Sequence, residues 1–138
     1  IDKVISAQAK PDDIARLVRG IVAGVPKLVR DGTLKAQMKT NVIAFLENMA
    51  AVVDCEAMPT TVILATDGVE DSEYANLRQE DAVLPVPATA IFAGCEAMTM
   101  LGVGQNLGSP LATERLRSQW QAWALAAGFA TFEGLNDW

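Results

Sequence analysis

At 138 residues, 51% of them apolar, the chain is long enough to bury one core yet short for a full α/β domain. Its 17 acidic and 11 basic residues leave a net charge of −6, which argues against the clustered Lys and Arg of a nucleic-acid or anionic-membrane surface and leaves a protein or a cation as the expected partner. With no histidine there is neither a Ser-His-Asp triad nor an ordinary zinc site.

The chain begins with a helical pattern. Over residues 11–24, Ile14, Leu17, Val18, Ile21 and Val22 recur at one-face spacing, with Pro11 and two aspartates in the first turn. Gly24 and Pro26 interrupt that helix, and a shorter segment ends at Asp31-Gly32, so residues 1–32 read as a helical insertion or extension of a single 1–138 domain. A second helix is expected to run to about Val53 with Val42, Phe45, Leu46 and Met49 on one face and Thr40 as N-cap, although residues 34–39 also carry helical character. Pro59 closes this region.

Thr61-Val62-Ile63-Leu64-Ala65 is a continuous apolar and β-branched run ending at Thr66-Asp67-Gly68, which reads as a strand buried on both faces of a parallel sheet. Ala97-Met98-Thr99-Met100-Leu101 behaves alike and ends at Gly102-Val103-Gly104. A short helix near Ser72–Arg78 and a proline-containing connector fill the crossover between the two strands, which makes them adjacent and parallel. Ser109 caps a helix that starts at Pro110, turns Leu116, Trp120, Trp123, Ala124 and Ala127 inward and stops at Gly128. Phe129–Glu133 supplies a last strand. The order describes an α/β fold with a doubly wound, mainly parallel sheet and helices on both faces. No run reaches the roughly 18 apolar residues of a membrane span, and the N-terminus lacks a basic-then-apolar leader pattern.

Cys55 and Cys95 lie too far apart in sequence for a CxxC motif. Each precedes a central strand by a few residues, so both fall at the amino edge of the sheet. They are either two buried thiols, the reading favoured by cysteine's behaviour as a small hydrophobe, or one disulfide, which would imply a periplasmic or extracellular setting.

In doubly wound folds, ligands sit beyond the carboxyl ends of the strands, which singles out Thr66-Asp67-Gly68. A carboxylate there can hold a hard cation directly or through water. The string from Val62 to Ser72 resembles the fourth strand of von Willebrand factor A-type domains, which ends in a Thr-Asp-Gly of the metal-ion-dependent adhesion site. Thr40-Asn41-Val42-Ile43-Ala44-Phe45-Leu46 is similar to that family's Thr-Asn segment, and Met98 to Gly104 resembles its fifth strand.

The resemblance implies a protein-binding module, not an enzyme, in which a divalent cation such as Mg²⁺ is held by oxygens including Thr40 and Asp67 and engages a partner's carboxylate. The family's Asp-x-Ser-x-Ser string is absent from residues 1–138, so either the remaining donors precede Ile1 or the chain is a structural domain that has lost its site.

Each residue also has a plainer role. Thr40 is an ordinary cap type and Asp67-Gly68 a common turn; Glu70, Asp71 and Glu73 read as a solvated acidic face, and Trp120 and Trp123 as core. The rival functional reading is a nucleotide-binding enzyme using Gly102–Gly108, against which Ser109-Pro110 places the helix start after the glycines.

Overall fold

The computed structural model describes residues 39–105 and 107–137 and, before them, only positions 12, 16, 19, 20, 23, 24, 27, 30 and 31. The chain divides into two compact units, Ile1–Met38 and Lys39–Trp138. In the first, the described positions from 12 to 30 are helical, and the Asp31 amide donates to the Lys27 carbonyl at 2.9 Å. The apolar stripe from Ile14 to Val22 lies outside the described residues, as does the stretch 34–38.

The second unit is α/β, with the order α1 (Val42–Ala50), β1 (Thr61–Ala65), β2 (Ala97–Leu101), α2 (Pro110–Ala127) and β3 (Thr131–Leu135). The three strands form one sheet in the order β1-β2-β3, with both pairings parallel. Thr61 pairs with Ala97, and Ala97 in turn with Thr131, so the five-residue strands run level and finish together at Ala65, Leu101 and Leu135. Both expected central strands thus form over the expected residues. The last strand starts at Thr131, because Phe129 is drawn into the core, where its ring stacks on Phe92 at 4.7 Å.

One face of the sheet carries Val62, Met98 and Met100, all buried, and packs on α2. A Cβ placed on Gly134, at this face of β3, would stand 3.1 Å from the Arg117 side chain of α2, so helix and strand approach closely here. The opposite face differs from the expectation of double burial. β1 is an edge strand, its residues alternate in exposure, and Ile63 is 65% exposed.

α2 forms where its signals place it. Ser109 accepts the Ala112 amide, Pro110 opens the first turn, and Gly128 ends the helix at φ +104°, donating to Ala124 and Leu125. A Cβ at Gly128 would lie 2.9 Å from the Ala93 backbone, so this stop also seats the 92–93 turn. Trp120 and Trp123 are buried edge to face, 5.7 Å between ring centroids, as a core reading requires.

α1 is shorter than expected at both ends. Its N-cap is Asn41, not Thr40, with the Asn41 side chain accepting the Ala44 amide at 2.9 Å, and the helix stops at Ala50, short of Val53. The expected helix near Ser72–Arg78 is replaced by turns and a single antiparallel bridge between Asp71 and Asn76. Ser72 and Asn76 take the Tyr74 and Arg78 amides on their side chains, which competes with helical pairing.

Cys55 and Cys95 form a disulfide with their Cα atoms 4.9 Å apart, so the favoured reading of two separate thiols is corrected. Level parallel strands bring the segments before β1 and β2 together at the amino edge. Both cysteines are buried, and their bond closes the chain around β1 and everything that follows it up to the start of β2.

Candidate functional site at the carboxyl edge of the sheet

Because the three strands end level, the segments that follow them gather at one edge. After β1, the Thr66 amide continues the ladder to the Leu101 carbonyl at 2.9 Å, and the chain then turns. The turn is held by its own side chains: Thr66 Oγ1 accepts the Gly68 amide at 3.1 Å, and Asp67 Oδ1 accepts the Val69 amide at 3.0 Å. Gly68 sits at φ +73°, a left-handed conformation that favours glycine, and its carbonyl accepts the Trp120 indole N–H at 2.7 Å. A Cβ at Gly68 would lie 3.0 Å from that same indole nitrogen.

The turn after β2 meets this one. The Gly104 amide donates to the Asp67 carbonyl at 2.8 Å, and Gly104 itself, at φ +73°, leaves room only for Thr113, whose Oγ1 would stand 2.5 Å from an added Cβ. Val103 donates to Leu135 and Gly102 to Asp137, so the Gly102-Val103-Gly104 turn also ties down the end of β3. Asn106, within the glycine loop, lies outside the described residues, and α2 begins beyond Gly108.

Thr40 lies at the same edge, immediately before the Asn41 cap of α1. Its carbonyl accepts the Asp71 amide at 2.8 Å, four residues beyond Asp67. The two expected site residues therefore belong to one connected set of turns, with Thr40 attached through Asp71 and Asp67 through Gly104.

The residue that organises this set was expected to be solvated. Glu70 is fully buried. One carboxylate oxygen accepts the Val42 amide at 2.8 Å and the Ile43 amide at 3.3 Å, the other the Ser72 hydroxyl at 2.5 Å. A carboxylate facing the first N–H groups of a helix satisfies donors that have no partner within the helix and meets the positive end of its dipole. Asp71 and Glu73 also have specific partners: Asp71 lies 3.5 Å from the Arg78 guanidinium, and Glu73 takes the Asn41 side-chain amide at 3.2 Å. Tyr74 donates its hydroxyl to Glu47 at 2.6 Å, and that carboxylate holds the phenol above its ordinary pKa. In sequence, Glu70 is one acid in an acidic string. The one signal that could have marked it is its place three residues beyond Asp67, where a chain leaving the strand passes the start of α1.

As a metal site this edge is incomplete in the described residues. No three Asp, Glu or Cys side chains gather there in a metal-holding arrangement. Glu70 is committed to helix amides, and Asp67 supplies the only carboxylate of the Thr-Asp-Gly turn. A hard cation of this kind takes about six oxygen ligands, several of which can be water for Mg²⁺. Thr40 and Asp67 could furnish part of such a set but not close it.

Compared with protein families, characterised proteins and solved structures, the chain matches none.

Proposed function

We propose that this chain is a protein-binding module of the von Willebrand A kind, with that family's doubly wound arrangement, that meets its partner at the carboxyl edge of the sheet. The observation that carries the reading is the pair of 2.8 Å hydrogen bonds joining Thr40 to Asp71 and Asp67 to Gly104. Three segments that resemble one family, far apart in sequence, converge through these bonds at the edge where ligands of parallel α/β sheets bind. Thr40 and Asp67 are the two positions offered to a divalent cation, with water and the partner's carboxylate filling coordination positions that they leave open. On this reading binding itself is the function, and no bond is made or broken.

The reading is tested with Mn²⁺ as a paramagnetic probe, followed through the backbone amide spectrum. The expected result is that broadening starts at Thr40, Asp67 and Gly68 and disappears in Asp67→Ala, while amides beside Glu56, next to the disulfide at the opposite edge, broaden only at higher concentration. Broadening that follows the exposed acids generally, or that persists unchanged in Asp67→Ala, overturns it.

A further inference from the structure

We draw no further inference here: the strongest candidate, the face of the three-stranded sheet opposite α2, on which Ile63, Leu101 and Leu135 lie, is an unpartnered face among the described residues, and nothing in the structure shows what covers it.

Discussion

The two ends of the same three strands are secured by different chemistry. At the amino edge a covalent bond, Cys55–Cys95, joins the segments entering β1 and β2, with the stacked Phe92 and Phe129 in the same apolar core. At the carboxyl edge there is no covalent tie among the described residues. Instead Glu70, Asp67, Gly68 and Gly104 hold α1, α2 and the strand ends through hydrogen bonds. The difference separates tasks within a short sheet. The amino edge restricts the unfolded chain, whereas the carboxyl edge specifies local backbone geometry at the turns proposed to meet a partner.

Reducing the disulfide probes this division most strongly. On the chain-entropy model, opening a loop of this length should cost about 4 kcal/mol of stability, read as a lower urea midpoint. If the edges are separable, hydrogen exchange of the Val42 and Ile43 amides in the reduced but still folded protein should keep its order relative to the sheet, because their acceptor is Glu70 and not the disulfide. Selective loss of protection at those two amides would break the comparison.

Glu70→Ala makes the complementary test from the other edge. It strands two buried helix amides and the Ser72 hydroxyl, for an expected loss of about 2–3 kcal/mol, with the disulfide intact by thiol titration. A loss below about 0.5 kcal/mol, the scale of an ordinary surface substitution, would mean that Glu70 does not organise the turns.

The smallest effect belongs to Tyr74, the only tyrosine. Its hydrogen bond to Glu47 raises its pKa, so the folded form holds the phenolic proton more tightly than the unfolded form. The linked stability is fully present below the ordinary tyrosine value of about 10 and is lost as pH rises through the raised folded value. Titration of tyrosinate absorbance should show a midpoint above that of free tyrosine, returning toward it in Glu47→Gln.

The comparison also shows what could be read from residues alone. β1 and β2 were legible to the residue because each is an unbroken apolar run stopped by Thr-Asp-Gly or Gly-Val-Gly, and α2 was legible because Ser109, Pro110 and Gly128 are local signals. What was hidden depended on partners distant in sequence. Asn41 and Thr40 are both good caps, and the choice is made where the Thr40 carbonyl turns to the Asp71 amide. Glu70 looks like its neighbours in an acidic string until α1 is placed over it. The disulfide required the level parallel register, which spacing alone could not supply. Even the exposed Ile63 was hidden, since an edge strand and a central strand can share the same composition.

The bond from the Trp120 indole to the Gly68 carbonyl gives the molecule an optical readout of its own. The indole is fully buried and its nitrogen is spent on the backbone of the turn that follows Asp67. Movement of that turn changes the polarity and hydrogen bonding felt by the chromophore, so emission from Trp120 reports the carboxyl edge from within the core without an attached dye. Trp123, packed edge to face beside it, shares the excitation, and both it and Trp138 would have to be replaced by phenylalanine for the signal to be assigned to one ring.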